Sequence, residues 1–416
     1  MSSEFLTKRT SCRLCGSAYL KSVLRLNPTP PANEFVKKND LEKIQNLYPL
    51  ELFFCQNCTH VQLLDIVNPR VLFSNYVYVS GTSAVFRKHF YDYYLWINKL
   101  IKLNNDSLVI DIGSNDGTLL KIFKDNGVKG LGVDPAVEIA KKASENGIET
   151  LPLFFDAALA KRIRNEYSSA KVITANNVFA HADNLLEIIQ GVKDLLSDDG
   201  VFIFEVSYLV DVLNKTLFDT IYHEHLSYHN VTSLKKFFKK NGLELKIIEQ
   251  VNSHGGSLRG LVTKNTNTAY KNSSVDALIN SENEMGIDKL ETYFRFNQKI
   301  NVAKNEVNTF LNDAKKQGKK IAGFGAPAKA TTLMYHFEFT SSLIDFIVDD
   351  SPLKQGLFSP GYHIPVLGSD ALYEKKPDFV LILAWNFADS IIANHQNYLK
   401  QGGKFIIPLP TMEIIE

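Results

Sequence analysis

The 416-residue sequence has little excess charge of either sign, since 46 lysines and arginines are matched by 45 aspartates and glutamates. That balance argues against a dedicated nucleic-acid-binding protein and against electrostatic attachment to a membrane. No apolar run approaches the roughly 18 residues of a membrane span, and the opening residues, MSSEFLTKRTSCR, contain no apolar signal segment. We therefore expect a soluble, cytoplasmic protein with neither nucleic acid nor a membrane as partner.

Cysteine is also scarce: only four occur, in two Cys-x-x-Cys pairs. Two disulfides are the alternative interpretation, but a chain without a secretion signal keeps its thiols reduced. A two-residue spacer turns both sulfurs of a pair toward one point, so two pairs can enclose one tetrahedral zinc ion. Such a closed site is structural, because no position stays open for water or substrate. The predicted ligands are Cys12, Cys15, Cys55 and Cys58, with His60 packing beside them rather than binding.

A strand, a glycine turn, a helix and a second strand are predicted at residues 107–112, 111–117, 118–126 and 129–133. The turn reads D-x-G-x-x-x-G and lacks the middle glycine with which dinucleotide-binding turns hold a pyrophosphate. It suits a nucleoside without phosphates, and S-adenosylmethionine is the common one. Gly113 permits close approach of a ligand, and Asp134, which follows the second strand, is placed to bind a ribose diol.

The alternation of strands and helices continues downstream. We expect Thr232 to cap a helix that ends at Gly242. Ligands of open parallel sheets bind at the carboxyl ends of the strands. His181 and the tract 222–229 (YHEHLSYH) follow such strand ends, so they should face the site of S-adenosylmethionine, the methyl donor. Further strands are predicted at 171–177, 200–208, 243–251 and 257–264.

The tract 222–229 holds three histidines, one glutamate and two tyrosines. In an extended chain His223 and His225 would share a face, with Glu224 pointing away. A second metal site and a hydrogen-bonded structural loop are two interpretations. We favour proton transfer, because histidine titrates near working pH and a neighbouring carboxylate can fix its tautomer.

The C-terminal third begins with a predicted helix at 290–317 and continues with a second strand, glycine turn and helix. This turn reads G-x-G-x-x-A and, with Asp349 and Asp350 after the next strand, is a passable dinucleotide fingerprint. It sustains an alternative function, an NAD-dependent oxidoreductase or a fusion of a methyltransferase with a reductase. The turn residues are Gly323, Gly325 and Ala328.

Over essentially its whole length the chain resembles the S-adenosylmethionine-dependent C-methyltransferases of nucleotide-linked 4-keto-deoxysugars. Besides the paired cysteines, the motifs that carry the resemblance are NYVYVSGTS (75–83), DIGSNDGTLL (111–120), NNVFAHADN (176–184), IYHEHLSYHN (221–230), HGGSLR (254–259) and GFGAPAKATTL (323–333).

The resemblance implies an α/β protein of three domains that binds structural Zn²⁺ and S-adenosylmethionine. They are a zinc-binding module (1–68), a Rossmann-like methyltransferase core (69–260) and a second Rossmann-like domain (261–416) for the nucleotide sugar. Carbon 3 beside the 4-ketone of a thymidine-diphosphate sugar is the implied acceptor, with carbon 5 and other nucleotides as alternatives. Three mutually packed domains are compatible with a monomer.

The resemblance also implies roles for single residues. His225 resembles the base that removes the proton beside the ketone, with Tyr222, Glu224 and His181 as companions and Tyr76 closing over the sugar. An O-methyltransferase and a non-catalytic zinc-bearing scaffold are the remaining alternatives. The expected donor contacts are Gly113, Ser114, Asn115, Asp134 and Asn176, and the expected substrate contacts are Lys329, His254 and Arg259.

Overall fold

The computed structural model describes residues 5–73, 84–253, 255–270 and 274–416. In this part of the chain the strands form four sheets. The strands are β1 (Leu6–Lys8), β2 (Leu20–Thr29), β3 (Tyr48–Cys55), β4 (Val61–Leu63), β5 (Asp65–Val67), β6 (Leu108–Ile112), β7 (Lys129–Val133), β8 (Thr150–Leu151), β9 (Ala170–Asn176), β10 (Leu196–Ser207), β11 (Ser227–Tyr228), β12 (Leu243–Val251), β13 (Ser257–Lys264), β14 (Ile321–Phe324), β15 (Phe346–Val348), β16 (Val366–Leu367), β17 (Phe379–Ile382), β18 (Lys404–Ile407) and β19 (Glu413–Ile415).

Helices cover the faces and ends of these sheets. They are α1 (Pro69–Phe73), α2 (Ala84–Leu100), α3 (Thr118–Asp125), α4 (Val137–Glu145), α5 (Ala157–Glu166), α6 (Leu185–Leu195), α7 (Leu209–Asn214), α8 (Val231–Lys240), α9 (Ser274–Met285), α10 (Leu290–Lys316), α11 (Ala328–Phe337), α12 (Ala371–Lys375), α13 (Ala388–Asn394) and α14 (Gln396–Lys400). None of the helices within the described ranges is long and apolar enough to cross a membrane.

The N-terminal unit is an antiparallel sheet of order β11-β4-β3-β2, with β1 paired to β5 beside it. Along β3 buried and half-buried residues alternate, as expected where one face of a sheet covers a core. The edge strand β11 comes from residues 227–228, far along the chain from β4, its partner. The N-terminal sheet therefore incorporates the end of the histidine tract.

The middle sheet has the order β12-β13-β10-β9-β6-β7-β8. From β10 to β8 all neighbouring strands are parallel. β13 is antiparallel to both of its neighbours, β10 and β12. All five residues of β6 are buried, which is typical of a central parallel strand covered by helices on both faces. The carboxyl ends of β6, β7, β9 and β10 meet at one edge, which is the edge where the sequence predicts the donor site.

The third sheet has the order β16-β15-β14-β17-β18-β19 and is parallel except for β19. One continuous apolar core contains residues of all three larger sheets, such as Leu52, Phe204 and Ile347. The α/β fold predicted from the sequence is confirmed, including two successive strand–glycine turn–helix units.

One predicted helix cap is wrong. The side chain of Asn230, not that of Thr232, accepts the backbone N–H of Ser233 at 2.8 Å and begins α8. The Thr232 hydroxyl instead donates to Glu282 at 2.6 Å. Threonine is a common cap, but Asn230 is the residue with extended backbone geometry at the start of this helix.

Candidate active site

The four cysteine sulfurs meet at one point of the N-terminal unit, and all four lie within 4.8 Å of one another. The Sγ pairs Cys12–Cys58 and Cys15–Cys55 are each 3.6 Å apart, near the edge of about 3.8 Å of a tetrahedron with zinc–sulfur bonds of about 2.3 Å. These side chains fit a structural zinc ion as predicted.

The turn after β6 approaches its surroundings too closely for any residue but glycine at its first position. Gly113 has φ +71°, and a Cβ there would lie 2.5 Å from the Cγ2 of Val178. The buried Ser114 Oγ and, at the end of β9, the Asn176 Oδ1 have no hydrogen-bond partner among the described residues. Unsatisfied buried polar atoms beside this glycine turn fit a polar ligand such as the donor nucleoside.

Two aspartates hold this turn. Asp134 accepts the backbone N–H groups of Asn115 and Ala136, each at 2.8 Å. Asp111 accepts the Thr174 hydroxyl at 2.6 Å, and burial raises the pKa of Asp111 to about 7. Each carboxylate oxygen of Asp134 has a second lone pair, so the predicted bond to a ribose hydroxyl is compatible with its role in the turn.

The His225 imidazole is held in one tautomer. Its Nδ1 lies 2.8 Å from the Thr220 carbonyl oxygen, which can only accept, so Nδ1 carries the proton. Its Nε2 therefore has a lone pair, and the Tyr222 hydroxyl donates to it at 2.9 Å. The sequence suggested a carboxylate for fixing this tautomer, but a backbone carbonyl does so.

His181 lies beside His225, with ring centroids 4.9 Å apart in an edge-to-face arrangement. The backbone joins their two loops, because the N–H of Leu226 donates to the carbonyl of Ala180 at 2.7 Å. The structure thus brings together Tyr222, His225 and His181, as the sequence predicts.

The other two histidines of the tract are buried apart from this cluster. The Nε2 of His223 contacts the Tyr48 carbonyl at 3.2 Å, and that of His229 contacts the Phe179 carbonyl at 3.1 Å. Burial lowers the pKa of each of these two imidazoles to about 4. At pH 7 these two imidazoles are therefore neutral, and each contacts a backbone carbonyl within the core.

The chain is not extended here, because residues 222–225 form a turn closed by a hydrogen bond from the His225 N–H to the Tyr222 carbonyl, so the shared face considered for His223 and His225 does not arise. Glu224 is buried and accepts the side-chain amide of Asn33 at 3.0 Å, and burial raises the pKa of Glu224 to about 7. His60 is fully buried beside Ser227, as expected for a packing residue.

Lys329 lies at the start of α11 but does not face open solvent. Its Nζ is 3.4 Å from the Oδ2 of Asp219 and 4.6 Å from the ring centroid of Trp385. The Trp385 indole donates to the same carboxylate oxygen at 2.7 Å. Asp219 directly precedes Thr220, so this cluster fastens the third sheet to the loop that holds His225.

Arg259 is buried in an ion pair rather than open to a substrate. Its Nε donates to the Oε1 of Glu205 at 2.6 Å, and the His89 Nε2 lies 2.8 Å from the Oε2. Burial of Glu205 is outweighed by His89 and Arg259, which hold the pKa of Glu205 below its ordinary value. Glu205 is in register with Asn176, so the network supports the donor edge of the sheet.

The second glycine turn opens onto a cavity of about 290 Å³ at the carboxyl ends of β14 and β17. Strand order reverses between these two strands, which is where doubly wound sheets bind ligands. Its lining includes Gly325, Asp349, Asp350, Lys354, Phe387 and His395.

Two predicted site residues, Tyr76 and His254, lie outside the described residues. The sequence prediction missed the partners Glu205, Asp219 and Asn33. The signal for Glu205 was present, since a charge inside the apolar strand GVFIFEVSY requires a buried partner. Nothing local marks Asn33 or Asp219 as contacts of the histidine loop.

Three family models match successive parts of the chain: a zinc binding domain at residues 12–73, a methyltransferase domain at 86–247 and a C-methyltransferase C-terminal domain at 252–410. The chain is 32% identical over 404 residues to the C-methyltransferase NovU of Streptomyces niveus, covering 97% of this chain and 96% of that protein.

Solved structures give fainter likenesses. A methyltransferase from Anabaena variabilis is 17% identical over 46% of this chain and 90% of its own, with a TM-score of 0.36. The magnesium protoporphyrin IX methyltransferase of Synechocystis PCC 6803, with bound S-adenosylmethionine, is 12% identical over 43% of this chain and 79% of its own, with a TM-score of 0.33.

Proposed function

The chain belongs to the S-adenosylmethionine-dependent C-methyltransferases with an N-terminal zinc-binding domain, and from this premise we propose its acceptor and its catalytic base. It methylates the carbon beside the 4-ketone of a nucleotide-linked deoxysugar, with His225 as the base. The observation that carries this proposal is the fixed tautomer of His225, which presents an unprotonated Nε2 next to a phenol and a second imidazole.

A carbon acceptor requires more of the protein than an oxygen acceptor, because it has no lone pair until a proton is removed. Nε2 of His225 takes that proton, and the electron pair of the C–H bond passes into an enolate. When bound, S-adenosylmethionine supplies an electrophilic methyl group, and its carbon–sulfur bond breaks as the new carbon–carbon bond forms. The imidazolium then releases its proton to solvent.

Tyr222 and His181 support the enolate. In the described state the Tyr222 hydroxyl donates to the base itself. A substrate that enters between them takes over this hydroxyl, which then donates to the ketone oxygen where negative charge develops. His181, with its ring 4.9 Å from that of His225, is the second donor on the same side. Glu224 holds the loop through Asn33.

The donor is held by the turn after β6. Gly113 lets Val178 pack closely against the turn, Ser114 Oγ and Asn176 Oδ1 supply unsatisfied polar atoms, and Asp134 takes the ribose hydroxyls while keeping Asn115 in place. A nucleoside held at this turn would present its methyl group at the carboxyl edge of the sheet, and such positioning supplies much of a methyl transfer's acceleration.

The nucleotide of the acceptor binds between the histidine loop and the third sheet. The Lys329–Asp219–Trp385 cluster joins these two parts and brings a buried cation next to the substrate side of the loop. The backbone N–H groups at the start of α11 suit the charge of a pyrophosphate, whereas the charge of Lys329 is paired with Asp219. We assign thymidine diphosphate and carbon 3 as the acceptor, in line with the resemblance of the sequence motifs.

Proton exchange tests the base directly. The substrate is incubated in deuterated water with S-adenosylhomocysteine, so that the α-proton can exchange without methyl transfer. His225→Ala should slow this exchange by about 10²- to 10⁴-fold, the usual contribution of a general base. Binding of S-adenosylhomocysteine, measured by calorimetry, should stay unchanged. Exchange at the wild-type rate in the variant would mean that another residue is the base.

A further inference from the structure

The arginine between the first two zinc ligands extends from the zinc site to the loops that carry the histidine cluster. The side chain of Arg13 is fully buried. Its Nε donates to the Oδ1 of Asp183 at 2.9 Å, and its Nη1 donates to the carbonyl of Leu226 at 3.2 Å and to that of Leu63. One planar guanidinium therefore joins the zinc turn, strand β4 and both active-site loops.

The two outer partners of Arg13 are neighbours of the proposed catalytic side chains. Leu226 directly follows His225, and Asp183 lies two residues after His181. The N–H of Leu226 also donates to Ala180 at 2.7 Å. The N–H of Ser227 donates to the same carbonyl at 3.1 Å. The loops are thus tied directly by two backbone hydrogen bonds, and Arg13 also joins them through its side chain.

The zinc site fixes the starting point of this side chain. Cys12 and Cys15 flank it, and its backbone N–H donates to the Oε1 of Gln62 at 3.0 Å. Gln62 lies in β4, four residues after the ligand Cys58, so both cysteine pairs define where Arg13 begins. A guanidinium offers donors in a rigid fork, so its own position is passed on to each acceptor.

We propose that Arg13 is a positioning residue for methyl transfer and that the structural zinc ion contributes to turnover through it, by fixing the separation of His181 and His225. This inference rests on the proposed roles of those two histidines. A displacement of about 1 Å at a reacting centre can lower a rate by about 100-fold, so loss of this bridge should be visible in turnover while the donor turn, built on other strands, is untouched.

Arg9 provides a matched control. Its Nη1 donates to the same Asp183 oxygen at 2.9 Å, but its side chain is 26% exposed, and it has no hydrogen bond to Leu226 in the described structure. An ion pair near the surface, such as Arg9–Asp183, contributes little to stability. Arg9→Met removes one cation from Asp183 and leaves the bridge between the loops.

Arg13→Met keeps the aliphatic stem and removes the bridge. Two of the acceptors left behind keep other donors: Leu226 keeps the N–H of Leu63 at 3.0 Å, and Asp183 keeps Arg9. We expect one zinc ion per chain and an unchanged Kd for S-adenosylhomocysteine, with kcat and the α-proton exchange rate both lowered about 100-fold. Arg9→Met should lower them by less than about threefold. Native kcat in Arg13→Met would overturn the proposal.

A second variant covers the case in which Arg13→Met fails to fold. Asp183 is 40% exposed, so Asp183→Ala perturbs the core less. Asp183→Ala should lower kcat at least tenfold with an unchanged pH profile. Arg13→Lys keeps the positive charge but not the forked guanidinium, so its kcat should stay below that of the wild type. Wild-type kcat in Asp183→Ala, or full rescue by lysine, would contradict positioning by the bridge.

The measurements separate this inference from the proposed function. If wild-type exchange does not depend on His225, the proposed base is wrong, whatever Arg13 does. If exchange depends on His225 but Arg13→Met exchanges at the wild-type rate, the base stands and the positioning role fails. Removal of zinc by a chelator should reproduce the kinetic defect of Arg13→Met before the chain unfolds, and unchanged turnover of the zinc-free protein would count against the role of the ion.

Discussion

The middle and third sheets repeat one construction. The order β8-β7-β6-β9-β10 in the first corresponds to β16-β15-β14-β17-β18 in the second, and an antiparallel strand follows in both. The backbone N–H of Gly113 donates to Val133 at 2.7 Å, and that of Gly325 donates to Val348 at 2.7 Å. Both glycines have positive φ.

The aspartate after the second strand is used in the same way in both sheets. Asp134 accepts the N–H of Asn115 at 2.8 Å, and Asp349 accepts that of Ala326 at 2.7 Å. The surroundings differ, because the first turn packs against Val178 in the segment that leads from β9 to His181, while the second opens onto a cavity bordered by Lys354 and His395. The comparison teaches that the turn provides a place for a ligand, whereas the neighbouring loops decide what chemistry follows.

Substitution of Gly113 and of Gly325 should give the largest difference between the two turns. A Cβ at Gly113 would lie 2.5 Å from Val178, and one at Gly325 would lie 2.5 Å from the Cβ of Ala384. Backbone strain of about 1–3 kcal/mol corresponds to roughly ten- to 100-fold in affinity. Gly113→Ala should weaken S-adenosylhomocysteine binding by that factor, measured by calorimetry, while Gly325→Ala leaves it within twofold. Equal weakening in both variants would mean that the donor site depends on both turns.

Changes in Tm on adding ligands should show a smaller difference between the two turns. S-adenosylhomocysteine and thymidine diphosphate should each raise the Tm by several degrees, because each binds the folded state alone. NADH, which the G-x-G-x-x-A turn of the third sheet would suit in an oxidoreductase, should leave the Tm unchanged. A comparable rise with NADH would favour the oxidoreductase alternative for the third sheet.

The smallest expected difference concerns pH. Asp111 in β6 corresponds to Gly323 in β14, and burial raises the pKa of Asp111 to about 7, above about 3.9 in an unfolded chain. The folded state therefore binds this proton more tightly, so stability falls as pH rises from about 4 to 7. Asp111→Asn keeps an acceptor for Thr174 and should raise the Tm by a few degrees at pH 8 but not at pH 4. An equal change at both values would assign the effect to packing.

Local units of this fold are predictable from the sequence. The strand 129–133 is predicted and observed with the same bounds, and the predicted strand 171–177 is observed as Ala170–Asn176. Apolar runs, glycine turns and cysteine spacing depend on neighbours in the chain, so a sequence pattern carries them. The error at Thr232 arose because both Asn230 and Thr232 are residue types that can cap a helix, and only the backbone geometry distinguishes them.

Contacts between distant parts of the chain are not predictable in this way. Glu224 contacts Asn33, Lys329 contacts Asp219, and Arg259 contacts Glu205. No local sequence pattern identifies the partner in any of these pairs. The composition of the tract YHEHLSYH indicates acid–base chemistry, but it does not identify which histidine takes part. Only the fold separates His225 from the buried His223 and His229.

The position of the new methyl group tests the central claim most directly. The enzyme is incubated with ¹³C-methyl-labelled S-adenosylmethionine and a thymidine-diphosphate 4-keto-deoxysugar, and the product is analysed by NMR. The account predicts a methyl carbon bonded to the ring carbon beside the ketone, with loss of that carbon's proton signal. A labelled methyl group on a sugar oxygen would contradict it.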